Sequence, residues 1–334
     1  MKNLLVTLAD KNYVEQAKQL FSSAYFNAGW QEDFMLLAHQ IPEKDLKWFK
    51  DKGILVFDCP EIKIKNKMHG KWPDVVLDKF YLFTPYFKKW KNIIFLDADI
   101  IIRKSLKNLC NIEGFGAVLS HNNLSKLFFK KTYMYLAGVD NKPYKEIKLK
   151  ENFNRRVFNS GVFAFSTDLI KDNTFSNLLA LQEKYGHLCT AGEELAFNLH
   201  FKNWISLPFI YNIHPDYILA TSFVKPTDIK GVILHFVLKK PWNKEHFFYK
   251  EWKENLALAD SIGVIKQKKI NSFKEDDVRK YSLFLEREIR KGLLKRVVYE
   301  IFVYADRLIG LLGLFIKRFL PKLYFYFKMK IKTK

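Results

Sequence analysis

Two aspartates, Asp97 and Asp99, flank Ala98 directly after the apolar run Asn92-Ile-Ile-Phe-Leu96 and just before Ile100-Ile-Ile102. Such a run reads as a buried strand, and open α/β sheets place their ligands at the carboxyl ends of strands. Two carboxylates one residue apart reach a single hard divalent cation where the chain kinks at the strand end. With an added imidazole the set suits Mn2+ or Mg2+ carrying phosphate oxygens. A surface loop with two solvated aspartates is the plainer reading of any D-x-D, but carboxylates set beside so much apolar surface are costly unless a cation neutralises them. His235 ends the run Val232-Ile-Leu-His235-Phe236. A lone histidine there is ordinarily a core residue with one satisfied nitrogen. Lys239, Lys240, Pro241 and Trp242 follow it, and ammonium groups beside a ligating imidazole are what a cation-bridged nucleotide diphosphate needs. Glu193 and Glu194 open a helical pattern behind Gly192, a position where acids commonly serve the helix dipole.

The elements that must position these residues alternate. A short apolar strand over residues 4–9 leads through Asp10-Lys-Asn-Tyr13 into a helix over 14–23. Strands over 34–38 and 54–57 enclose a helix over 43–52, and a helix over 75–87 precedes the D-x-D strand. Strands alternating with helices imply right-handed βαβ units and a mostly parallel sheet, that is, an α/β fold. A strand follows over 117–120, then an irregular stretch rich in Lys and Tyr over 126–154. Residues 157–165 read as a strand interrupted by the polar turn Asn159-Ser160-Gly161. Helices over 168–185 and 193–201 and a strand over 231–236 complete the pattern, and from 275 onward the chain reads as helical.

In all, 334 residues with 49% apolar side chains and 31 Phe are enough for a large core, which excludes a disordered or collagen-like chain. The formal net charge of +21 calls for a polyanionic environment: nucleic acid, a phosphorylated substrate or an anionic membrane. Cys59, Cys110 and Cys189 lie far apart with no C-x-x-C pair, which excludes a zinc ribbon or disulfide scaffold and suits a reducing compartment. No segment reaches the about 18 to 20 uncharged apolar residues of a spanning helix. The opening apolar stretch is too short for a signal-peptide core, so a cytoplasmic location is expected.

Three motifs then fall in one order: Ile93-Ile-Phe-Leu-Asp97-Ala-Asp99, Phe158-Asn159-Ser-Gly161-Val, and His235-Phe followed by Lys240-Pro-Trp242. Together with Leu8-Ala-Asp10-Lys-Asn12-Tyr13 they resemble glycosyltransferase family 8 over about residues 3–245. The resemblance implies a GT-A fold and a retaining transfer of galactose or glucose from a UDP-sugar with Mn2+ (or Mg2+). Asp97, Asp99 and His235 would bind the metal. Asp10, Asn12 and Tyr13 would hold uridine, and Lys240 and Lys79 the donor phosphates, with Ala98 among the donor-binding residues. Asn159 and Ser160 would touch the donor sugar. The dication and Lys240 would stabilise the departing UDP, while the oxocarbenium-like sugar needs negative groups nearby.

The sequence departs from that family at two places. The acid-Gln-acid motif reads Glu193-Glu194-Leu195, which puts a carboxylate where the amide belongs and removes the second acid. Glu194 would then stabilise the cation or act as nucleophile, with Glu193 and Asn159 beside it. The last motif is one residue short and lacks its glycine after Phe236.

The expected organisation is a catalytic domain over 1–245 and a helical extension over 246–334. Residues 291–334 carry eleven basic residues and two acids among Phe302, Phe315, Phe319 and Tyr324-Phe-Tyr-Phe327. That composition describes a helix lying in a membrane interface, with Lys317, Arg318 and Lys322 reaching anionic head groups. A core helix or a nucleic-acid-binding tail are the other readings, and no recognised module supports the last. The expected setting is the inner face of a membrane, extending an oligosaccharide or lipid-linked saccharide such as lipopolysaccharide core.

Three other functions compete. A haloacid-dehalogenase type of phosphatase also ends a strand in Asp-x-Asp, but continues with Thr or Val where this chain has Ile101. Gly114-Phe-Gly116 is a weak sign of dinucleotide binding. A basic non-enzymatic nucleic-acid- or membrane-binding protein accounts for the charge but leaves Asp97, Asp99 and His235 unexplained.

Overall fold

The structure is a computed structural model that describes residues 1–65, 73–120, 142–152, 155–189, 191–265, 274–299 and 301. The chain divides into two units, the larger comprising residues 1–215 and 230–279. Its centre is a seven-stranded sheet. In chain order the strands and helices are β1 (Leu4–Asp10), α1 (Val14–Ala28), β2 (Asp33–His39), α2 (Glu43–Asp51), β3 (Leu55–Asp58), β4 (Asn92–Leu96), β5 (Ile100–Ile102) and β6 (Phe115–Leu119). They continue as α3 (Lys142–Lys150), β7 (Phe158–Ser166), α4 (Thr174–Tyr185), α5 (Glu194–His200), β8 (Ile205–Leu207), α6 (Pro215–Thr221), β9 (Ile233–His235), α7 (Tyr249–Ala257) and α8 (Glu275–Lys291).

The sheet order is β3-β2-β1-β4-β7-β6-β8. The four strands from β3 to β4 are parallel, as the alternating pattern predicts. The chain runs outward from β1 through β2 to β3 and then returns to β4 on the other side of β1. The carboxyl ends of β1 and β4, which lead into Asp10 and Asp97, are therefore adjacent at the point where the order reverses, where such sheets open a ligand crevice.

Five local expectations are corrected. Residues 75–87 form no single α-helix but two 3₁₀ segments, Asp74–Phe83 and Pro85–Lys89, because Pro85 disfavours helical backbone at Thr84. The strand over 157–165 is not interrupted: β7 is continuous and antiparallel to both β4 and β6. Its polar triplet makes a bulge. Ala117 pairs Phe163, but Leu119 pairs Phe158 instead of Gly161, so residues 159–161 are looped out of the β6 ladder. The stretch expected to be irregular contains α3, whose Lys-rich sequence buries Ile147 alone; residues 121–141 and 153–154 of it lie outside the described residues. The strand over 231–236 shrinks to β9, which pairs with β5 in a separate two-stranded sheet. Finally, Gly116 lies in mid-sheet, paired with Ala164 on one side and Ile205 on the other, inside strand β6 rather than in a turn that could cradle a pyrophosphate.

The phenylalanines fill the core. Phe83 stacks on Phe165 at 4.5 Å, Phe95 on Phe163 at 4.9 Å and Phe115 on Phe201 at 4.1 Å, tying the sheet to the 3₁₀ segment and α5. All three cysteines are free and buried, and burial pushes the thiols of Cys110 and Cys189 up to about 12.

The first 3₁₀ segment is pinned to the sheet by His39, whose Nδ1 lies 2.7 Å from Asp78 Oδ2. Burial pushes the Asp78 carboxyl up to about 6, against the pull of His39. A carboxyl that binds its proton more tightly folded than unfolded weakens the fold when it ionises. Stability should fall as pH rises between about 4 and 6, by about 3 kcal/mol, and stay low above that range. Asp78→Asn should therefore melt higher than the wild type at pH 7.5 and close to it at pH 4, as thermal denaturation at the two pH values would show.

The smaller unit comprises residues 216–229 and 280–334. Within it Lys295 Nζ donates to the carbonyls of Leu219 and Ser222, both at 2.8 Å. Gly292 lies so close to Thr221 that a Cβ there would come 2.5 Å from its carbonyl oxygen. Among the described residues no helix is long and apolar enough to cross a membrane. The tail residues 302–334, with the expected head-group contacts Lys317, Arg318 and Lys322, lie outside the described residues.

Candidate functional site

Asp97 and Asp99 sit on the turn between β4 and β5, with Ala98 buried between them. The Asp97 amide donates to the Gly161 carbonyl at 2.9 Å, which joins the turn to the bulge of β7. His235 arrives through the small sheet. Ile100 pairs His235 across β5 and β9, and the Phe236 amide donates to the Asp99 carbonyl at 3.0 Å. His235 Nε2 lies 3.2 Å from Asp99 Oδ1 and 3.8 Å from Asp97 Oδ2.

One donor atom from each of these three residues falls within 4.8 Å of the others. Two carboxylates and an imidazole are a donor set for Mn2+ or Mg2+. Room is kept beside them by Gly161, where a Cβ would meet His235 Cε1 at 2.3 Å and Asp97 Oδ2 at 2.7 Å. The residues fit a divalent cation.

Two lysines flank the trio. Lys240 Nζ lies 2.5 Å from Asp99 Oδ2 and donates to the Phe236 carbonyl at 2.7 Å. Burial would raise the Asp99 carboxyl, but His235 and Lys240 outweigh it and hold it well below the usual carboxylate range. Lys79 is only 4% exposed and lies 2.8 Å from Asp97 Oδ1 and 2.7 Å from Glu193 Oε1. Burial would lower its ammonium, yet Asp97 and Glu193 hold it above the usual lysine range. The residue expected to meet donor phosphates is thus enclosed by two carboxylates.

On the far side of the trio, Ser160 Oγ donates to Glu193 Oε1 at 2.9 Å. Glu194 Oε2 accepts from Asn159 Nδ2 at 2.9 Å and from the Ser160 amide at 3.1 Å. The bulge therefore aims its polar triplet at the start of α5. At the end of β1, Asp10 folds the expected nucleotide loop on itself: Oδ1 accepts the Asn12 amide at 2.8 Å and Oδ2 accepts Asn12 Nδ2 at 3.1 Å. The Tyr13 ring meets Trp242 edge-on at 5.8 Å. Burial raises the Tyr13 hydroxyl; Lys240 opposes that, and Asp99, Asp10 and Asp97 add to it, as groups gathered at one place do.

Of the residues singled out in the sequence, Asp97, Asp99 and His235 lie together here, and Asn212 and His214, not singled out there, lie beside them. Asn212 is fully buried, with Oδ1 2.9 Å from His235 Nδ1 and 3.1 Å from His214 Nε2, and Nδ2 donating to Asn159 Oδ1 at 3.0 Å. The one available signal was the Asn-Ile-His alternation, which puts Asn212 and His214 on the same side of an extended segment.

The family model described as "Glycosyl transferase family 8" matches residues 4–246. Among solved structures, the bifunctional glycosyltransferase WbbM in its apo form is similar with a TM-score of 0.59 at 18% identity, over 84% of this chain and 51% of that one. The chain thus spans about half the length of WbbM. The galactosyltransferase LgtC, solved in complex with donor and acceptor sugar analogs, is similar with a TM-score of 0.57 at 15% identity, over 83% of this chain and 99% of that one. The apo-form glycosyltransferase GlyE of Streptococcus pneumoniae TIGR4 gives 0.54 at 19% identity, over 87% and 64%. No curated protein matches the sequence.

Proposed function

The chain belongs to glycosyltransferase family 8 and has a GT-A fold, and on that premise we propose that it is a retaining hexosyltransferase. It moves galactose or glucose from a UDP-sugar to a lipid-linked oligosaccharide such as lipopolysaccharide core. It acts at the inner face of a membrane, where the net charge of +21 favours an anionic surface. The phosphatase, dinucleotide and non-enzymatic readings lapse with the family membership.

The observation that carries the reading is the convergence of Asp97, Asp99 and His235 at the strand switch point with Lys240 beside them. Asp97, Asp99 and His235 would hold Mn2+ or Mg2+. Bound there, the cation supplies Lewis-acid charge to the diphosphate as UDP leaves. Lys240 adds a further positive charge, exchanging its bond to Asp99 for a phosphate oxygen. Asp10, Asn12 and Tyr13 take the uridine, and Asn159 and Ser160 bound the sugar. Glu194 faces the positive charge that develops on the sugar ring. Its Oε2 already accepts two hydrogen bonds, which disperse its charge and favour electrostatic stabilisation over nucleophilic attack.

The test is UDP release by the purified full chain from a panel of nucleotide sugars, with Mn2+ and with EDTA. UDP-galactose or UDP-glucose should be turned over, the activity should vanish with EDTA, and Asp97→Asn should lower it by about 100-fold or more. A folded protein that neither binds nor cleaves any UDP-sugar in Mn2+ overturns the proposal.

A further inference from the structure

The hydrogen bonds behind the trio have only one consistent direction. A carboxylate accepts and never donates, so the Asn159 group facing Glu194 Oε2 at 2.9 Å is the Nδ2 amine. Asn159 Oδ1 then points the other way and takes the Gly161 amide hydrogen at 3.1 Å, a second contact that admits no flip. Because Asn159 offers Asn212 an oxygen, Asn212 answers with Nδ2 at 3.0 Å and turns Oδ1 toward His235. An oxygen 2.9 Å from His235 Nδ1 requires a hydrogen on that nitrogen. His235 therefore carries a hydrogen on Nδ1, which leaves Nε2, the nitrogen that faces Asp97 and Asp99, as the one that can ligate a cation. His214 Nε2, at 3.1 Å from the same Oδ1, locks the Asn212 amide from a second direction.

We infer that Asn212 is a positioning residue: it transmits the donor-acceptor order set at Glu194 and Gly161 to His235 and fixes the imidazole in the tautomer that can take a divalent cation through Nε2. The inference rests on the metal reading above and adds to it a residue outside the three family motifs. Asn212 also links two halves of the site that the sequence keeps separate. One end of its amide orients the imidazole; the other orients Asn159, which holds Glu194. Groups that fix a ligating imidazole in this way commonly contribute 10- to 100-fold in metal affinity.

Two substitutions in the full chain separate the two ends. Asn212→Leu removes both, and Mn2+ affinity, read from free Mn2+ by EPR titration without any sugar, should fall by about 10- to 100-fold. Asn212→Asp keeps an acceptor for His235 and loses the donor to Asn159. It should bind Mn2+ within about threefold of the wild type, while turnover falls by about tenfold or more. In the metal-free wild type, 15N NMR of labelled histidines, assigned with His235→Gln, should show a hydrogen on Nδ1 of His235. Asn212→Asp should retain that signature. A wild-type His235 without a hydrogen on Nδ1 overturns the inference. So does wild-type Mn2+ affinity in Asn212→Leu, or affinity lost by both variants in step with their melting temperatures, which marks a packing role only. Absence of Mn2+ binding by the wild type overturns the metal reading itself and takes the inference with it.

Discussion

Gly161→Ala should reduce metal-dependent turnover by about 100-fold or more in a chain that still folds. The glycine lies on extended backbone that any residue adopts, so its constraint is room, not conformation. An added methyl would come 2.3 Å from His235 Cε1, 2.7 Å from Asp97 Oδ2 and 3.0 Å from Asn159 Oδ1. The methyl overlaps both ligands, so His235, only 3% exposed, and Asp97, on the open side, both have to shift. A displacement of about 1 Å in a catalytic constellation typically costs about a hundredfold in rate. The loss should appear as weaker Mn2+ binding together with lower kcat, and the overpacking at buried His235 should lower the melting temperature without unfolding the chain. Wild-type Mn2+ affinity in the folded variant would show that this glycine does not shape the metal site.

Lys79→Met should be the most destabilising single change at the site. The wild-type ammonium is enclosed, 2.8 Å from Asp97 and 2.7 Å from Glu193. Removing one partner of a buried ion pair commonly costs about 3 to 5 kcal/mol, because the charge left behind has lost both water and its counter-ion. The Ser160 hydroxyl still reaches Glu193 and moderates the cost, while Asp97 keeps no such substitute at that oxygen among the described residues. The ion pairs hold the lysine above its ordinary pKa of 10.5, so their contribution is complete below that pH and fades only as pH rises beyond it. The melting-temperature gap between wild type and Lys79→Met should therefore stay constant from pH 6 to 9. Lys79→Arg, which keeps the charge, should recover part of the stability. A variant as stable as the wild type would mean that the two carboxylates need no cation.

The trio at the D-x-D was legible because its signal is local and the motif order adds to it. Four consecutive apolar residues, Ile93 to Leu96, mark β4 by themselves, and two acids at its end stand out against them. Lys79 was legible as a site residue but not in its partners, since nothing in a 3₁₀ segment indicates which carboxylates lie opposite it. Asn212 was illegible for a related reason. A buried amide in a short extended segment differs in no periodic way from one in a loop, and its importance resides entirely in the three side chains around it.

The sequence by itself determined that β1, β2 and β4 are buried and that β4 runs into two carboxylates, because hydrophobic continuity and the residues that stop it are adjacent along the chain. It also determined that the chain has aromatic mass enough for a large core. The tertiary structure alone decided that β9 pairs with β5, so that His235 lies beside Asp99, and that β7 runs antiparallel with a bulge aiming Asn159, Ser160 and Gly161 at the same point. Those pairings are backbone ladders between segments far apart in sequence. Their register is fixed by the packing of both strands at once, and neither strand encodes it alone.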